Sequence, residues 1–364
     1  MLASFRPGVL LLLLVPVAPV LQWGVHAPAF AVFLAGALGV AVLADWVRKA
    51  TEQMADRTGP AIGGLLNVSF GSIAELVLAL FVLRGGHAEV VRAQLTGSIL
   101  ATTLFGLGLA ALVGGLGREQ QRFGRKRAGM LSSMLILAVI TLVLPAVVEL
   151  AGRHAGAGGA ALRVSDEHLS LGVSSVVLAL YAINTVYTLV FRRNALSEGE
   201  AEGGGQAHWS VARALAVLVG ATVLIALESE LVSDALAETA ESLHLSGVFL
   251  GVVVLAVVGT AADLFAATVF ARQDRMGLVV GICLGSAIQV ALVIAPLLVI
   301  LSWAIGAPMT LVFRNPLDLF ALGATVLIAN AVAGDGETNW FEGVLLIGVY
   351  VLLGLAYFFV APAA

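Results

Sequence analysis

The chain has 364 residues, of which 60% are apolar and 12% charged, with a formal net charge of -4 and a mean hydropathy of +1.03. One soluble core of this length cannot hide that much apolar surface, so the natural solvent is lipid. A single cysteine, Cys283, leaves no disulfide framework and no thiolate metal cage, and without a basic tract interleaved with aromatics, nucleic acid is set aside as a partner.

Crossing roughly 30 Å of hydrocarbon takes about 17 to 25 apolar residues in a helix. Eleven stretches qualify, at 8–24, 27–47, 60–83, 94–116, 128–150, 169–192, 210–228, 246–271, 277–303, 317–333 and 340–360. The first, LLLLVPVAPV after Arg6, also resembles a signal peptide, but no clean small-residue cleavage site follows and it is read as a retained helix. Threading the chain through these spans gathers fourteen of the 19 Lys and Arg on one side, among them Arg48, Lys49, Arg118, Arg122, Arg125, Lys126 and Arg127. Positive loops stay in the cytoplasm, which predicts an amino terminus inside and a carboxyl terminus outside, in the cell's inner or plasma membrane. Loop 193–208, RNALSEGEAEGGGQAH, is polar and Gly-rich and reads as a flexible, acidic cytoplasmic linker near the middle of the chain. Segment 228–241 carries Glu228, Glu230, Asp234, Glu238 and Glu241 without a Lys or Arg. It reads as a solvated outer loop, or more sharply as a funnel that concentrates external cations.

GSIAEL at 71–76 returns as GTAADL at 259–264, an offset of 188 residues. At that offset Gly63 matches Gly251, Ala79 matches Ala267, Arg84 matches Arg272, and Gly97-Ser98 matches Gly285-Ser286. Small apolar residues recur by chance in such a composition, but the alignment also superposes two rare acids, Glu75 and Asp263. They lie in the third and eighth spans, and the five crossings between them turn the second copy over. The expected fold is therefore an all-α polytopic membrane protein of eleven transmembrane helices. It has an amino-terminal helix (1–26) and two inverted five-helix repeats, 27–192 and 209–364. Inverted repeats are typical of secondary transporters, which hold the ion near the midplane and rock one part against another.

A carboxylate in the bilayer interior costs roughly 2.5 to 3.5 kcal/mol even on the lenient insertion scale, so such residues are rare and usually functional. Glu75 and Asp263 are read as one cation site. Gly71 and Ser72, and Gly259 and Thr260, precede the acids by three or four positions, which brings a hydroxyl onto the same helical face and lets the backbone open to expose carbonyl oxygens. Ser98 and Thr102, with Ser286 and Gln289, add oxygens from neighbouring spans, and Asn67 and Ser69 line the path on the helix of Glu75. All are hard oxygen donors, which suit calcium, with about six to eight oxygens in flexible geometry, better than octahedral magnesium; sodium or potassium comes second. A lone Ser or Thr has a plainer explanation, a bond to its own helix's carbonyl. None of the six histidines falls mid-span, so a mid-membrane proton carrier would be Glu75 or Asp263 itself. Proton and metal then compete for the same oxygens, which is antiport by mutual exclusion, with calcium as transported ion and no resident cofactor.

From about residue 28 to 360 these features resemble the calcium/cation antiporter superfamily, and within it the calcium/proton exchanger branch. GGLLNVSFGSIAELVLALFVL (63–83) is similar to that branch's first signature, and GTAADLFAATVFARQDRMGLVVGICLGSAIQVALVIAPLLVI (259–300) to its second. PMTLVF, then GDGETNWFEGVLLIGVY (334–350), follow the same branch. The resemblance implies eleven helices, the first outside the repeat, and calcium held between acids on the third and eighth, which match Glu75 and Asp263. Against the family's Gly-Asn-Ala-Val-Glu and Gly-Asn-Ala-Ala-Glu-His, this chain has Ser72 and Thr260 for the Asn residues, Asp263 for the second Glu and Leu264 for the His. A Ser-Asn pair is replaced by Ala101-Thr102, whereas Gln289 fits. The lost amides favour a near rival, a sodium or potassium/proton antiporter on the same fold. An intramembrane aspartyl protease would also use two acids, but not in a repeated Gly-hydroxyl context, and a channel would call for a re-entrant filter motif. The expected partners are calcium, protons and the lipid bilayer; a homo-oligomer is compatible with the sequence.

Overall fold

A computed structural model describes residues 10–58, 66, 70–154, 159–191 and 209–359. Asn67, Ser69 and the linker 193–208 lie outside the described residues. Within them the helices are α1 (Leu12–Val25), α2 (Ala29–Thr58), α3 (Ile73–Arg84), α4 (Ala88–Gly115), α5 (Arg125–His154), α6 (Gly159–Phe191), α7 (Val211–Ser242), α8 (Gly247–Arg272), α9 (Met276–Ala304), α10 (Pro316–Asp335) and α11 (Trp340–Phe359). Nine of these are long and apolar enough to cross a membrane; α1 and the described part of α3 are shorter. Each predicted span has a helix among its described residues.

Three helices run well past their expected limits: α6 starts early, at Gly159, and α2 and α7 end late. α2 has 30 residues and α7 has 32, or about 45 and 48 Å at 1.5 Å per residue. The apolar stretch that marks α2 ends at 47, close after Asp45. The helix continues because the charges there pair along its surface: Arg48 bridges Asp45 at 3.0 Å and also Glu52, and Lys49 bridges Asp45, at the spacing that supports a helix. The expected outer loop 228–241 is likewise corrected: it forms the end of α7. Leu231, Val232, Ala235, Leu236 and Thr239 are buried while Glu230, Asp234, Glu238 and Glu241 are exposed, and that alternation of faces is helical.

The chain divides into two compact units, residues 1–85 with 179–243 and residues 86–178 with 244–364. In the first, α2 and α7 run antiparallel. Gly36 lies at Val232 and Gly39 at Glu228; farther along, Trp46 stacks on Trp209 with ring centroids 6.1 Å apart, and the Trp209 backbone N–H donates to Gln53 Oε1 at 3.1 Å. A β-carbon on Gly36 would fall 2.8 Å from Val232 Cγ2, so the missing side chain is what lets the helices close. α3 is tied to α7 by the Ser233 hydroxyl, which donates to the Phe81 carbonyl at 3.1 Å.

In the second unit α4 is the spine. A β-carbon on Gly97 would sit 2.1 Å from the Val252 carbonyl, and one on Gly251 would sit 2.6 Å from the Val90 carbonyl, so α4 and α8 interlock through reciprocal glycines. Gly108 and Gly343 do the same for α4 and α11, beside Phe105 stacked on Tyr350 at 5.2 Å. α5 meets α10 where the Ser132 hydroxyl donates to Asn330 Oδ1 at 2.9 Å. Beyond the helices, strand β1 (Gln121–Arg122) follows α4 and β2 (Glu337–Thr338) follows α10. They pair antiparallel, Gln121 with Thr338 and Arg122 with Glu337. The Arg118 guanidinium donates to the Gly114 carbonyl at 2.7 Å and reaches the Ala271 and Arg272 carbonyls at the end of α8.

Candidate ion-binding site

In the first unit Glu75 is 1% exposed and lies in the first turn of α3. Gly71 and Ser72 form a turn immediately before that helix, and the Ser72 hydroxyl makes no capping bond. A carboxylate in a helix's first turn is favoured by the axial dipole, and Glu75 occupies that position in α3.

The second unit gathers the other predicted residues on three helices. Asp263 is partly buried, midway along the α-helical stretch Ala256–Arg272. The opening expected at Gly259 is absent: the helix is regular there, and the irregularity comes earlier, as a π-helical turn over Leu250–Leu255. The Thr260 hydroxyl donates to the Ala256 carbonyl at 2.8 Å, and the Thr102 hydroxyl to the Ser98 carbonyl, also at 2.8 Å. Both threonines thus take the plainer role, although an oxygen that donates its proton keeps lone pairs for a cation. The Thr260 and Ser98 turns meet where Gly97 presses on Ala256.

Ser98 and Ser286 are buried, 0% and 7% exposed, and neither hydroxyl has a hydrogen-bond partner among the described residues. The sequence reading missed Gln94, which is buried with both amide atoms unpartnered among those residues. It stands one helical turn before Ser98 on the same face, at the position where hydropathy marks the boundary of a span. On α9, Gln289 follows Ser286 by three residues and is partly buried. Cys283, three residues before Ser286, lies within electrostatic reach of Asp263. Leu264 fills the notch at Gly106, where α4, α8 and α9 converge; a β-carbon there would lie 2.6 Å from Leu264 Cδ2 and 3.5 Å from Cys283 Sγ.

α4 and α9 share a further irregularity. π-helical turns cover Ala101–Gly106 and Val290–Ile294, and the 188-residue offset of the sequence repeat superposes them. Each follows its Gly-Ser pair. A π turn carries an extra residue, leaves local carbonyls poorly bonded and is common at functional sites. Orphaned oxygens inside a membrane protein are costly. Oxygens without partners, on helices packed against one that carries a carboxylate, offer a desolvated cation new ligands.

Residues 28–190 and 213–359 match the family described as "Sodium/calcium exchanger protein". The chain is 36% identical over 363 residues to a Ca(2+)/H(+) antiporter of Aphanothece halophytica, covering 96% of this chain and 95% of that one. It is 36% identical over 337 residues to the Ca(2+)/H(+) antiporter ChaA of Bacillus subtilis (strain 168), covering 92% and 93%. The solved structure of native YfkE superposes with a TM-score of 0.81 at 32% identity, over 97% of this chain and 99% of that one.

Proposed function

The chain belongs to the sodium/calcium exchanger protein family, and from that premise we propose that it exchanges calcium for protons across a membrane by alternating access. Glu75 and Asp263 are the carboxylates over which the two cations compete. The observation that carries this reading is the set of buried oxygens on α4 and α9, unpartnered among the described residues and carried by helices that pack on the α8 of Asp263, which suits an ion that must replace its water shell. The chain's similarity to Ca(2+)/H(+) antiporters favours calcium among the candidate cations.

In this mechanism a calcium ion takes the carboxylate oxygens together with the hydroxyl oxygens of Ser98, Ser286, Thr102 and Thr260 and the amide oxygen of Gln289. Gly71 and Ser72, in the turn before α3, contribute backbone or hydroxyl oxygens at Glu75. When calcium leaves, protons neutralise the same carboxylates, so the emptied protein crosses its cycle without an uncompensated buried charge. The chain is a transporter and not an enzyme. We assign its amino terminus to the cytoplasm and the protein to the cell's inner or plasma membrane, on the bias of positive loops.

The test is cation-induced proton movement in everted vesicles, with calcium, sodium and potassium compared for the wild type, Glu75→Gln and Asp263→Asn. Calcium is expected to move protons in the wild type, and each substitution to abolish that movement. Normal exchange in both variants would remove the two acids from the mechanism. A response to sodium or potassium alone would assign the fold to monovalent antiport.

A further inference from the structure

We propose that Glu228, on α7, is a proton-binding carboxyl of the transport cycle, additional to the two acids of the sequence repeat. The proposal rests on the antiporter reading and adds a group the repeat does not contain, since Val40 stands at the matching place 188 residues earlier. Glu228 is 0% exposed, and neither of its carboxyl oxygens has a hydrogen-bond partner among the described residues. It fits a notch in α2: a β-carbon on Gly39 would lie 3.0 Å from the Glu228 carboxyl carbon, and one on Gly36 would lie 3.5 Å from Oε2. These glycines stand seven and ten residues after Ala29, about 10 and 15 Å along the helix. The antiparallel pairing therefore sets Glu228 at the depth of the middle of the predicted second span, well away from an outer surface.

Its neighbours supply no counter-charge. On α2 the nearest charged residue beyond Gly39 is Asp45, which is paired with Arg48 and Lys49. The segment of α1 packed on α7, Val17–Pro19, has no titratable side chain. α3 carries Glu75 and Arg84, the latter at its far end. On α7 itself Glu230 and Asp234 belong to the exposed face, and the buried Ser229 hydroxyl is unpartnered among the described residues. A buried carboxyl without a partner is too costly to keep as a bare anion, so the notch calls for a cation. Calcium needs about six to eight oxygens, which two glycines and Val232 cannot provide through side chains. A proton needs one.

The test reconstitutes the full chain in liposomes and follows calcium uptake and proton movement together across a range of pH, for the wild type and Glu228→Gln. The variant is expected to keep calcium transport, move fewer protons per calcium ion and lose one ionisation from its pH–rate profile. Dicyclohexylcarbodiimide, which attacks protonated carboxyls in apolar surroundings, gives an independent reading on the unsubstituted protein. Mass spectrometry should find its adduct on Glu228, declining as the pH is raised. An unchanged proton ratio and pH profile in Glu228→Gln overturns the proposal, as does the absence of adduct at every pH; should the variant fail to fold, the adduct decides alone. A wild type that moves protons with sodium but not calcium would instead refute the choice of transported ion, leaving the Glu228 result to be read on that exchange. A wild type inert to every cation refutes antiport itself, and the role of Glu228 in a cycle with it.

Discussion

Residue type and depth decide which polar groups in this chain do chemistry and which only hold helices together. Tyr357 donates its hydroxyl to Asp318 Oδ1 at 2.6 Å with both side chains buried, a latch between the start of α10 and the end of α11. Tyr357→Phe leaves that carboxyl one partner short and should cost about 1–3 kcal/mol, read as a lower unfolding temperature in detergent. The two acids proposed for the site differ in kind: Glu75 opens a helix, whereas Asp263 sits mid-helix and is one methylene shorter than a glutamate. Asp263→Glu is expected to keep exchange and change the calcium concentration for half-maximal rate, which vesicle uptake measures. Glu75 and Asp263 stand out in the sequence because an acid in an apolar run is rare. Thr102 and Thr260 could not be sorted in advance, since a hydroxyl that binds its own helix and one that faces an ion occupy the same position in the chain. Gln94 escaped notice because no hydropathy window distinguishes a buried amide from one at a helix end.

At the scale of helices, the repeat is less symmetric than its sequence. Gly97 and Gly285 align, yet a β-carbon on Gly97 would collide with the Val252 backbone, while one on Gly285 meets nothing within 4 Å. Gly97→Ala should therefore force α4 from α8 at a cost of about 1–3 kcal/mol and lower calcium uptake, and Gly285→Ala should leave both stability and uptake near wild type. Thermal unfolding in detergent beside vesicle flux checks the pair. Periodicity and run length located the helices, because an apolar stretch of the right length has few alternatives in lipid. They misjudged the ends of α2 and α7, where charge was taken for the edge of the membrane and is in fact one face of a longer helix. They were silent about the π turns, since one extra residue in an apolar run leaves the hydropathy profile unaltered.

For the molecule as a whole, the β1–β2 pairing constrains topology independently of hydropathy. Segments joined by ladder hydrogen bonds lie on one side of a membrane, so the chain between Arg122 and Glu337 crosses an even number of times, in agreement with the six helices α5 to α10. Arg122→Cys and Glu337→Cys should both react with an impermeant maleimide from the same face of oriented vesicles, and Arg314→Cys from the other; native Cys283 is buried and adds little background. Labelling of Arg122→Cys and Glu337→Cys from opposite faces would break the eleven-span threading. The Glu149 carboxylate lies 4.0 Å from the Arg314 guanidinium, which fits an assignment of both to the outer side. The paired π turns of α4 and α9 bear on how such a molecule arose. Insertions that appeared separately in each half would both have had to fall at the same register. If the halves descend from one gene for a five-helix unit, the added residue was already present before that gene doubled. It was then inherited twice, while the glycine contacts and acid side chains around it diverged.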